Sequence, residues 1–174
     1  MAEVSTLYEW AGGAEALERL TEVFYRHVHR DPLLAPVFAH AGADHAHHVA
    51  AWLSEVFGGP TTYTTDHGGY PTMLRHHHGL AITAEQRARW AQLIAEAADE
   101  AGLPADPEFR SAFVAYVEWG SRIAMANSQP DATPAPQAPV PRWGWGEAPP
   151  TQADALSLLG RAAHSAGSAW LSVP

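Results

Sequence analysis

Residues Pro71–Trp90 read PTMLRHHHGLAITAEQRARW. After three consecutive histidines, Thr83 stands as a helix N-cap and Gln86, three residues on, as its capping-box partner, so a helix starts there. Trp90 lies thirteen residues beyond the middle histidine, and Pro71 lies six before it. Imidazole is the commonest metal ligand, and an indole N–H on a rigid helix is a fixed donor. Consecutive side chains on a helix point about 100° apart, so at most one of His76, His77 and His78 can ligate a given ion.

Working outward, the dominant period is helical. Leu17, Leu20, Phe24 and Val28 recur at spacings of three and four before Asp31-Pro32 stops the helix. Val49, Trp52, Leu53 and Val56 form a second stripe, closed by Gly58-Gly59-Pro60. Beyond the Thr83 cap, Trp90, Leu93, Ile94 and Ala97 share a face that ends at Gly102. Asp106-Pro107 opens a last helix on which Phe109, Phe113, Tyr116 or Val117, Gly120 and Ile123 are expected to face inward. No strand-like alternation persists. The reading is an all-α domain of four main helices, with the Gly-containing stretches 39–44 and 58–72 outside helix. Trp10, Trp52 and Trp119 fall at core spacing.

Seven of the fourteen prolines lie between Pro130 and Pro150, which marks a linker or a surface-hugging strap. The domain is therefore expected over 1–128 and the strap over 129–150. The tail, 151–174, is read as one short helix carrying Leu156, Leu159, Ala163 and Trp170. Within the strap, the repeated tryptophans of RWGWG, Trp143 and Trp145, imply docking onto the domain or onto a partner chain, and a homodimer would follow from the second.

Composition excludes several functions. The ten basic residues are all Arg and the net charge is −9, which argues against nucleic acid and anionic membrane as partners. Without cysteine there is no disulfide, thiolate nucleophile or thiolate-held haem. The N-terminus lacks a signal-peptide pattern and no apolar run is long enough to cross a bilayer, so a cytoplasmic protein is expected. Ten of the eleven histidines lie between His27 and His78. For His27, His29, His40, His47, His67 and His164 the expectation is a solvated surface position.

Gly12-Gly13, Phe24-Tyr25, Val37-Phe38, the run His48–Leu53 and Gly58-Gly59-Pro60 surround the Pro71–Trp90 frame. In order and spacing they resemble the group II truncated haemoglobins over residues 5–128. The segment PRWGWGEAPP is similar to an extension found in actinobacterial-type members. The resemblance implies a truncated globin fold, a 2-over-2 helical sandwich around haem b and its iron. It implies O2 as ligand, with NO, CO or peroxide as further ones, and an external reductase for any turnover, since no flavin or nicotinamide motif is present. The family's proximal histidine stands six residues after a proline and thirteen before a tryptophan, which selects His77. Phe38 and Val49 are then expected against the haem, with Tyr25, Trp90 and His45 as distal donors. A small residue is common in the family where His45 stands. Arg75 is either a partner for a haem propionate or a solvated arginine.

Two other functions compete. One is a non-haem metal protein using His45, His48 and His77, although HExxH is missing and no acidic pair stands at convincing spacing. The other is a haem-free interaction module acting through the WGW segment.

Overall fold

The computed structural model describes residues 4–134 and 138–150; the helix expected over 151–174 lies outside the described residues. Thr6 and Glu9 form a capping box that starts α1 (Leu7–Ala11). Gly12 and Gly13, at φ 104° and 73°, then turn the chain into α2 (Gly13–Val28), a reversal that a side chain would strain. The stripe Leu17, Leu20, Phe24 and Val28 is fully buried. After α2, the Asp31 carboxylate accepts the Leu33 and Leu34 N–H groups and sets the bend that Pro32 requires.

The other long helices are α3 (His45–Val56), α6 (Ala84–Glu100) and α7 (Pro107–Asn127). The Thr83–Gln86 capping box and the Asp106 cap with Pro107 at the first turn stand where the sequence placed them. Helix α2 packs against both α3 and α6, and α6 packs against α7. Two helix pairs thus enclose a core centred on Phe24, Phe57, Phe109 and Phe113. Inside it the Trp52 indole donates to the Tyr116 hydroxyl at 2.7 Å, so that neither buried polar atom is orphaned.

Two expectations change, and one open alternative is decided. Residues 58–72 are not a loop: they carry α4 (Thr62–His67) and most of the first half of α5 (Gly69–His77), separated by Gly68 at φ 80°. Tyr63 of α4 and Tyr70 of α5 pack on Trp52, and buried Glu55 accepts from the Thr64 N–H, so tertiary contacts supply what weak propensity does not. Ile123 and Trp119 are not core residues; they are 37% and 40% exposed, because the inward stripe of α7 runs instead through Phe113, Tyr116, Val117 and Ser121. The open alternative concerns the strap, which docks onto its own domain. Val140 is buried, the Trp143 N–H donates to the Val56 carbonyl, and its indole donates to the Ala112 carbonyl. Trp145 meets Trp10 edge-on at 5.4 Å and donates to the Ser5 carbonyl. Among the described residues no helix is long and apolar enough to cross a membrane.

Candidate functional site

Helix α2 presents two adjacent aromatics in different directions. Phe24 meets Trp90 of α6 edge-on, with ring centroids 5.3 Å apart. Tyr25, also buried, brings its hydroxyl to 3.0 Å from Nε2 of His45, the first residue of α3. Phe38 from the α2–α3 connection closes this group, 5.5 Å from the Tyr25 ring and 5.8 Å from the His45 ring. An ion pair beside Trp90 in the chain ties α6 to the turn after α2: Arg89 Nε donates to the Asp31 carboxylate at 2.6 Å. That pair, with its two backbone donors, holds the Asp31 carboxyl below the usual range. Val49, one turn along α3 from His45, is half-buried against the core.

Burial decides the protonation of these groups. It lowers His45 to about 4, helped by the neighbouring histidines, so its imidazole is neutral at physiological pH. It raises Tyr25 above the usual phenol value, so the hydroxyl keeps its hydrogen.

On α5 the three histidines separate. His76 and His78 are exposed, whereas His77 is half-buried and its Nδ1 lies 2.9 Å from the Met73 carbonyl, one turn back. A carbonyl only accepts, so Nδ1 carries the hydrogen and the Nε2 lone pair is left available. Burial lowers the His77 pKa and so favours the neutral ring, and the Met73 bond partly offsets this. Arg75 is exposed and donates to the Thr72 hydroxyl.

The indoles sort in the same way. Trp10, Trp52, Trp143 and Trp145 donate to Asp106, Tyr116, Ala112 and Ser5 respectively. The half-buried Trp90 indole donates to no described residue. A neutral imidazole with one nitrogen fixed and the other open fits a metal ligand by its chemistry, and a hydroxyl and an unengaged indole N–H are hydrogen donors of the kind a polar ligand needs. The non-haem trio is not assembled: among the described residues no group of three or more His, Asp or Glu could hold a metal ion. His48 instead packs on His67 at 4.4 Å, and His47 bonds Glu18.

A family model described as bacterial-like globin matches residues 6–118. The chain belongs to that family. Within it the chain is a group II truncated haemoglobin, and haem is the family's cofactor. It is 34% identical over 91 residues to the group 2 truncated haemoglobin of Bacillus subtilis, covering 52% of this chain and 68% of that one. The group II truncated haemoglobin structure from Bacillus anthracis superposes with a TM-score of 0.64 at 26% identity, over 71% of this chain and 92% of that one. A structure described as a truncated oxygen-avid haemoglobin from Bacillus subtilis gives a TM-score of 0.61 at 30% identity, over 69% and 98%.

For this globin, sequence reasoning missed the groups that hold the site residues in place. The Met73 carbonyl leaves no trace in a sequence. Asp31 is legible in the sequence as a helix stop before Pro32, but its partner Arg89 on α6 is not.

Proposed function

We propose that this globin binds O2 and other diatomic gases on haem b, with His77 as the axial ligand. The observation that carries the reading is the His77 Nδ1 bond to the Met73 carbonyl, which fixes the tautomer a ligating imidazole needs. When bound, haem b would supply the iron that takes up the gas, and His77 would hold it. Phe38 and Val49 would pack against the ring, and Arg75, which is exposed, would pair with a propionate. The Trp90 indole and the Tyr25 hydroxyl supply hydrogens to the gas. A hydrogen bond to a group bearing charge is worth about 1.5–3 kcal/mol, which slows release of a polar gas by roughly ten- to a hundredfold. Such retention, in keeping with the oxygen-avid description of the Bacillus subtilis protein, suits NO or peroxide chemistry driven by an external reductase better than delivery.

The test is replacement of His77 by Gly. Haem affinity should fall and the Soret band should move, and added imidazole should restore both. Unchanged binding without imidazole would transfer the role to another residue.

A further inference from the structure

Tyr25 and His45 share one hydrogen-bond line, and that line limits what either can give. The Tyr25 hydroxyl is buried, and its only partner among the described residues is His45 Nε2 at 3.0 Å. His45 is neutral and so carries one N–H. Its Nδ1 bonds no described residue and its ring is partly exposed. Two arrangements satisfy the 3.0 Å contact. With the imidazole hydrogen on Nδ1, Tyr25 donates to Nε2. With it on Nε2, His45 donates to the Tyr25 oxygen, and the phenol hydrogen must find another acceptor. No other described acceptor lies within hydrogen-bond distance of that hydroxyl, and leaving a buried O–H unmade is the costlier choice. The gas-free protein therefore rests with Tyr25 donating to His45.

Resting on the gas-binding reading above, we propose that His45 is a positioning residue that withholds the Tyr25 hydrogen from the bound gas and releases it only to a strong acceptor. Release balances as a tautomer exchange. Solvent removes the proton from Nδ1, another proton is added at Nε2, and His45 then donates to the Tyr25 oxygen while the phenol hydrogen turns to the gas. Net charge is unchanged. A polar gas such as O2 repays that exchange; CO, a weaker acceptor, does not. His45 thus sets the discrimination between gases, and Phe38, packed on both rings, limits their escape from the shared line.

The experiment uses the full haem-loaded chain. In the CO complex, nitrogen NMR of His45 should show the hydrogen on Nδ1; in the O2 complex it should show it on Nε2. His45→Leu removes the competing acceptor, so O2 release should slow by roughly three- to tenfold and the C–O stretch should fall, as Tyr25 now donates to either gas. In a Tyr25→Phe background the same substitution should do neither. Faster O2 release in His45→Leu, or effects that survive without the Tyr25 hydroxyl, would make His45 a direct donor and overturn the proposal. So would the same tautomer in both complexes, a result available from the unmutated chain even where His45→Leu fails to load haem. A chain that takes up no haem would instead refute the gas-binding reading itself.

Discussion

Trp143→Ala tests whether the strap is part of the folded domain or an ornament on it. The indole loses its bond to the Ala112 carbonyl at 3.1 Å. It also loses ring contacts with Tyr116 at 5.7 Å and Trp119 at 5.5 Å. The backbone bond to Val56 survives in Ala. A Trp buries about 150–250 Å² when enclosed; Trp143 is half-buried, so about 100 Å² at about 25 cal/mol/Å² gives about 2.5 kcal/mol. The hydrogen bond, partly exposed, adds about 0.5–1 kcal/mol. A loss of about 3 kcal/mol should lower Tm by about 10 °C for a domain of this size. Urea unfolding of the haem-free and haem-loaded protein, followed by far-UV circular dichroism, measures it. Truncation after Ser128 should cost more, because Val140 and Trp145 leave too, while residues 1–128 should still fold and take up haem. A loss below about 0.5 kcal/mol in Trp143→Ala would refute the packing argument, and a truncated chain that cannot fold would move the domain boundary past the strap.

Trp90→Phe keeps the edge-on contact with Phe24 but deletes the indole donor, so O2 dissociation should rise roughly tenfold and CO dissociation much less; equal changes in stopped-flow traces would mean steric control. Asp31→Asn should destabilise the α2–α6 joint. Because Arg89 and two backbone amides depress the folded-state pKa of Asp31, its contribution is present above the unfolded value of about 3.9 and is lost as pH falls through the lower folded value, so the mutant's deficit in thermal stability should shrink on acidification in that window. Gly59→Ala would bring a Cβ to 2.7 Å from the Tyr8 ring and 2.8 Å from the Ser54 carbonyl, a cost of about 1–3 kcal/mol in a denaturant titration; an unchanged midpoint would mean that the α1–α3 contact yields freely.

What was legible in the sequence followed from periods and caps. The stripe through Leu17 and Val28, the Thr83–Gln86 box and Asp106-Pro107 each specify a local conformation whatever packs against it. Residues 58–72 were illegible for the opposite reason. Six Gly and Pro residues punctuate that stretch, so local rules call it loop, and contacts with Trp52 and Glu55, contributed by α3, make helices of its two halves. Trp143 and Trp145 announced docking but not the docking partner, since an indole face reads alike for a domain and for a second chain.

The site shows the same division more sharply. Its candidate residues stand in the sequence as residue types: Tyr25, His45 and Trp90 as distal donors and His77 as ligand. The sequence names three distal donors and leaves open whether their bonds to a gas add. In the folded chain Tyr25 and His45 meet across twenty residues and share a single line, so the phenol hydrogen serves either the imidazole or the gas. On the proposal above their contributions cannot add, whereas Trp90, which donates to no described residue, would contribute a bond of its own. On that proposal, retention of a gas would depend on how many hydrogens are free to turn toward it, and contacts between the donors themselves would set that number.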